Sequence, residues 1–121
     1  MTEEIDRKTI GASELGNRLL SRLASVGLFP EEMDAYRFAV GLGLARRKRT
    51  PVVGRRTKWN VGSFDRDETV AGLVATLMPE TAGEDPYRVA EELAETGFAE
   101  MEQAVMSGEF RFTDFFSASY S

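Results

Sequence analysis

The sequence predicts an all-α fold: a small single-domain bundle of four to five helices with a basic loop or short hairpin in the middle. Three observations predict it. Apolar residues recur at helical spacing in separate stretches on both sides of the chain's centre. Gly and Pro stand where those stretches should start and stop. The stretch without a helical period, residues 51–63, lies mid-chain and is rich in cations. A length of 121 residues fits one domain, 1–121, and 42% hydrophobic residues suffice for a core.

The elements follow in order. Residues 1–12 form a flexible arm, with 4–12 read as extended. Ser13 is an N-cap and Glu14 suits the first turn. Leu15, Leu19, Leu23 and Val26 then recur at helical spacing, and Gly27 reads as the residue that ends this helix in a left-handed conformation. A second helix starts near Pro30, with Glu31, Glu32 and Asp34 at the positive end of its dipole. Over residues 38–44 it is apolar nearly all round, which predicts a central position or a self-association surface. Gly41 and Gly43 there permit close backbone approach. Thr50-Pro51 breaks the helix. After the basic loop, Asp65 and Glu68 have the spacing of a capping box. Val70, Leu73, Val74, Leu77 and Met78 make a third helix that ends near Pro79. Asp85-Pro86 caps a fourth, carrying Tyr87, Val89, Ala90, Leu93 and Ala94. Gly97 is expected to break it, leaving a fifth short helix with Phe98, Met101, Ala104 and Val105. Residues 109–121 are an aromatic tail with Phe110, Phe112, Phe115, Phe116 and Tyr120, suited to core packing or to binding a partner.

Charge is unevenly placed. Residues 46–58 hold Arg46, Arg47, Lys48, Arg49, Arg55, Arg56 and Lys58, seven of the fifteen basic residues, and no Asp or Glu. The rest of the chain carries eight basic and twenty acidic residues. Such a block is either an anion-binding surface or a partner for the chain's own acids, since residues 65–114 hold thirteen acids and three bases. Arginine outnumbers lysine here and is the better bidentate phosphate ligand. Trp59, the one tryptophan, plugs the core or stacks on a base of single-stranded nucleic acid. The candidate DNA-binding residues are therefore Arg46, Arg47, Lys48, Arg49, Arg55, Arg56, Lys58 and Trp59, and of these Arg46, Arg47, Arg55 and Arg56 are expected to be exposed.

Other chemistry is poorly supported. With no histidine and no cysteine, the commonest general base, thiolate metal sites and disulfides are absent. No phosphate-binding loop of the G-x-x-x-x-G-K-[ST] type is present. Glu91 and Glu95 share a helix face, expected to be solvated. Neither a catalytic set, nor a metal site, nor a cofactor is therefore expected. No apolar run approaches a membrane span, and residues 1–8 are polar, so a cytoplasmic protein is expected. The net charge of −5 predicts weak affinity for DNA at physiological salt.

The stretch F-P-E-E-M-D-A-Y-R-F-A-V-G-L-G-L at 29–44, followed by R-R-K-R-T-P at 46–51 and K-W-N at 58–60, resembles small bacterial proteins encoded beside DNA phosphorothioation (Dnd) defence clusters. That pattern joins an apolar F-A-x-x-L-G helix, a basic turn ending in proline and a following tryptophan. Phe38, Ala39, Leu42, Gly43, Arg49, Pro51 and Trp59 fit it, with arginine where the basic turn usually starts on glycine. The stretch A-E-E-L-A-E-T-G-F at 90–98 is similar to the closing helices, so the resemblance spans residues 29–105. A weaker resemblance is to the small helical subunit of the sulfur-modification machinery, which is associated with DNA binding. The resemblance implies a role near DNA modification, phosphorothioation or antiviral defence, and it supplies no catalytic residue. The expected function is a non-enzymatic accessory protein contacting DNA phosphates. The alternative is a module that docks on a larger defence-system protein through its acidic face or aromatic tail. A homo-oligomer built on residues 38–44 is also expected.

Overall fold

The computed structural model describes residues 8–108. The aromatic tail and the first seven residues of the arm lie outside them. The chain runs β1 (Thr9–Ala12), α1 (Glu14–Ser25), α2 (Glu32–Arg46), β2 (Arg56–Asn60), α3 (Val61–Phe64), α4 (Thr69–Leu77), a 3-10 turn (Pro79–Thr81) and α5 (Pro86–Met106). Helices dominate, but the fold is not purely all-α. β1 and β2 form a two-stranded antiparallel sheet, with Thr9 opposite Asn60, Ala12 opposite Arg56 and an irregularity between Ile10 and Gly11. The basic stretch therefore does not fold on itself as a hairpin. Its strand pairs with the N-terminal arm, a partner some fifty residues away that no local periodicity announces.

Local chemistry sets most boundaries. The Ser13 side chain accepts from the Gly16 amide and starts α1, and Gly27 closes it at φ 76°. Asp85 accepts from the Tyr87 amide ahead of Pro86 and starts α5. The start of α4 differs from the expected capping box. Glu68 occupies a left-handed conformation at φ 59° and makes no side-chain cap bond. Buried Asp65 caps the helix instead, accepting from the amides of Val70 and Ala71 and from the Tyr87 hydroxyl. That carboxylate and burial together push the Tyr87 phenol well above its ordinary range, burial being the larger cause.

The centre of the molecule is the contact of α2 with α5. Ala35, Tyr36, Ala39, Val40, Leu42, Gly43 and Leu44 of α2 are buried, which accounts for its lack of a polar face. The two backbones approach closely at two glycines. A Cβ on Gly43 would stand 2.7 Å from the Leu93 Cα, and one on Gly97 2.6 Å from the Ala39 Cα. This is why α5 runs unbroken through Gly97. The glycine is there for the neighbour's backbone, and its propensity cost of about 1 kcal/mol is outweighed by the packing it permits. Around this contact Tyr36 meets Phe64 at 5.1 Å and Phe98 at 5.4 Å, both edge-on. Leu20 and Leu23 of α1 are fully buried against the same core, each worth about 1.5–3 kcal/mol.

Gly41 behaves differently from Gly43, because nothing lies within 4 Å of its would-be Cβ. Gly43→Ala or Gly97→Ala is expected to destabilise the fold by about 2–3 kcal/mol through forced separation of the helices. Gly41→Ala is expected to stabilise it by about 0.5–1 kcal/mol through helix propensity. Urea unfolding of the three variants checks both signs.

Candidate interaction site in the basic segment

α2 ends at Arg46 because Arg47 turns left-handed at φ 50° and its amide bonds back to Leu44. The following segment is then laid along α5. The Thr50 amide donates to the Glu92 carbonyl, and the Thr96 hydroxyl donates to the Lys48 carbonyl. This placement sets the basic side chains against the acids of α5.

Four of the seven cations are held by the chain's own carboxylates. Arg46 makes a forked contact with Glu100, Nη2 to Oε1 at 2.6 Å and Nε to Oε1 at 3.1 Å. Arg49 bridges two acids, Nε to Glu92 at 2.7 Å and its two terminal nitrogens to Glu84 at 2.7 and 3.0 Å. Hydrogen bonding to Arg49 holds the Glu84 carboxyl below its ordinary range. The same bonds push the Arg49 guanidinium further up. Arg55 donates Nε to Glu91 at 2.8 Å, and Lys58 pairs with Glu32. The other three cations, exposed like Arg55, have no carboxylate partner among the described residues. Arg47 donates to the Leu77 carbonyl at 3.0 Å, while the side chains of Lys48 and Arg56 have no bonding partner among the described residues. Trp59 is half-buried, stacked on Phe64 at 5.7 Å and edge-on to Tyr36 at 5.5 Å, with the Lys58 ammonium over its ring. One ring face is thus occupied by Phe64 and unavailable for a base.

Glu91 and Glu95 are not a solvated face. Glu91 is 4% exposed and its Oε2 accepts from the Gly11 amide and from Arg55 Nε at 2.8 Å, with Arg88 Nη1 in ion-pair contact at 3.2 Å. Glu95 accepts from the Ser13 hydroxyl at 2.6 Å. Tyr36 donates its hydroxyl to the Gly11 carbonyl, and Arg88 donates to the Thr9 carbonyl. Side chains of α2 and α5 therefore hold β1 through its backbone. The strand leaves no room for a side chain at Gly11, where a Cβ would stand 2.9 Å from the Arg56 carbonyl carbon. Burial pushes the Tyr36 phenol far above its ordinary range, helped by the Glu91 charge, so it remains a donor. With one carboxylate oxygen shared among three donor groups, the cluster acts as a clamp.

Arg88 and Tyr36, both central to this clamp, carried no sequence signal of their role. For Glu91 and Glu95 a signal existed: both lie one turn apart among Ala90, Ala94, Gly97 and Phe98, a small and apolar surround that suits burial better than solvent. Among the described residues, no group of three acidic side chains is placed to hold a metal ion, and no helix is long and apolar enough to cross a membrane. The chain matches no family model, no curated protein and no solved structure.

Two expectations follow. Arg55→Ala removes one donor from a buried carboxylate and should cost about 1–2 kcal/mol, whereas Arg56→Ala should stay within about 0.5 kcal/mol. Chemical denaturation distinguishes them. The second concerns Glu95, whose carboxyl is raised above its ordinary value by burial, against the opposing hydrogen bond from Ser13. A raised folded pKa contributes stability that is full below the unfolded pKa and lost as pH rises through the folded value. Glu95→Gln, always neutral and still able to accept from Ser13, should melt above the wild type at pH 7, with the gap closing toward pH 4. Calorimetry across that range is the check, and a gap that widens toward acid would contradict the assignment.

Proposed function

We propose that the chain is a non-enzymatic protein-interaction module, a cytoplasmic accessory of a bacterial DNA-modification or anti-phage defence system, whose basic segment braces the fold. The observation that carries this reading is the pairing of Arg46, Arg49, Arg55 and Lys58 with Glu100, Glu84, Glu92, Glu91 and Glu32. A phosphate would have to displace bonded carboxylates at each of these cations, and the net charge of −5 repels it at long range. The association with DNA modification rests on the resemblance of residues 29–60 to proteins of the phosphorothioation clusters.

A surface suited to docking is present on α4. No residue of Thr69–Leu77 is charged, and Leu73 and Leu77 are 44% and 40% exposed one turn apart. A solvated helix face would carry charge there.

The second reading, phosphate contact, is favoured by the exposed side chains of Arg47, Lys48 and Arg56. The two readings part in a single titration. On the module reading, duplex and single-stranded DNA bind negligibly even at low salt. The combined Arg46, Arg47, Arg55 and Arg56 to Ala variant then loses stability instead of affinity, because two of its four arginines are braces. Fluorescence anisotropy at two salt concentrations, with circular dichroism melts of both proteins, decides it. Binding that weakens steeply with salt, and disappears in a variant that melts like the wild type, favours phosphate contact.

A further inference from the structure

Two kinds of carboxylate hold the arginines of residues 46–55. Glu91 is 4% exposed and belongs to the buried clamp on β1. Glu84, Glu92 and Glu100 are 46%, 35% and 34% exposed, and among the described residues their carboxylates touch only Arg46 and Arg49. We infer that these three acids occupy a latent binding site for the phosphate backbone of nucleic acid, and that neutralising them opens it. The inference rests on the module reading, in which the wild type leaves DNA unbound.

The bonds they accept are those that arginine makes to phosphate. Arg49 sends Nε to Glu92 and both terminal nitrogens to Glu84, and Arg46 forks onto Glu100. The acids lie on one side of the molecule. Glu92, Thr96 and Glu100 follow at four-residue intervals along α5, and Glu84 stands in the turn just ahead of it. On that side Arg46 and Lys48 line a groove of about 300 Å³ with Thr96, Ala99, Glu100 and Gln103. The Lys48 side chain is exposed there and has no bonding partner among the described residues. Three cations, Arg46, Lys48 and Arg49, therefore converge on a surface that three carboxylates neutralise.

The segment carrying these cations has no apolar anchor. No residue from 45 to 63 is buried. Its backbone is tied to α5 by two bonds, from the Thr50 amide to the Glu92 carbonyl and from the Thr96 hydroxyl to the Lys48 carbonyl. Carboxylates exposed to this degree keep part of their water, so a phosphate can take their place without opening the core. At Glu91 the same exchange would leave the buried Gly11 amide without its acceptor.

Fluorescence anisotropy of a labelled DNA duplex at two salt concentrations tests this on the full chain. One variant combines Glu84→Gln, Glu92→Gln and Glu100→Gln. Its control combines Glu31→Gln, Glu68→Gln and Glu80→Gln, exposed acids whose carboxylates have no partner among the described residues. Each combination removes three negative charges from a chain of net charge −5. The first should bind about tenfold tighter than the control, with a salt slope of log K steeper by about 0.9 for each cation that takes a phosphate. Adding Lys48→Ala and Arg49→Ala should abolish the gain. Circular dichroism confirms that each variant is folded. If the first is not, Glu84→Gln with Glu100→Gln, which keeps Arg49 tied to Glu92, is compared with Glu31→Gln and Glu80→Gln. Equal gains in variant and control show a net-charge effect and overturn the proposal, as does a folded variant that stays silent. Unfolding of both the triple and the double variant makes the acids structural and overturns it too. None of these results touches the module reading. Salt-steep binding by the wild type overturns both, and it is recognised before any substitution is made.

Discussion

Everything else in this fold is arranged around two glycines that let α2 and α5 touch backbone to backbone. Gly43 lies under Leu93 and Gly97 under Ala39, so the helices cross at a separation that side chains at those positions would forbid. The close crossing brings the end of α2 alongside the middle of α5. From there the Thr50 amide reaches the Glu92 carbonyl and Arg46 reaches Glu100. The same crossing places Tyr36 where it can meet Phe64, Phe98 and the β1 backbone together. One steric condition thus positions the aromatic centre, the basic segment and the strand.

The helices were legible because their signals are local. Ser13, Gly27 and the Asp85-Pro86 pair each act within a turn of the chain, and each stands where a boundary was expected. Most of what departs from the sequence expectation is non-local. Gly97 has the composition of a breaker, and only the approach of Ala39 from another helix explains its place inside α5. Local sequence makes β2 part of a loop or a short hairpin, because its partner lies in the arm. Asp65, first residue of the expected box, caps α4 from ahead of its N-cap, because the left-handed Glu68 delays the start of the helix. Residue type alone puts Glu91 and Glu95 in solvent, whereas the Gly11 amide, Arg55 and the Ser13 hydroxyl, all from other segments, make their burial tolerable.

The charge block shows how composition underdetermines a surface. Seven cations without an intervening acid are a feature of the sequence, but free positive charge is a feature of the fold. Arg46 and Arg49 face acids of α5 and of the turn before it, so the strongest arginine contacts available, forked pairs with carboxylates, are already made within the molecule. The exposed cations not paired with a carboxylate among the described residues are Arg47, Lys48 and Arg56, spread along the segment.

The clamp on β1 also dictates an order of folding. The bond between the Gly11 amide and Glu91 joins residues eighty positions apart, and that between Ser13 and Glu95 joins residues eighty-two apart. During synthesis β1 leaves the ribosome before α5 and cannot be fastened until α5 has followed. Closing so long a loop carries an entropic cost that nearby contacts do not, so strand docking comes late. Until then β1 has an open edge, able to pair with any other extended segment it meets.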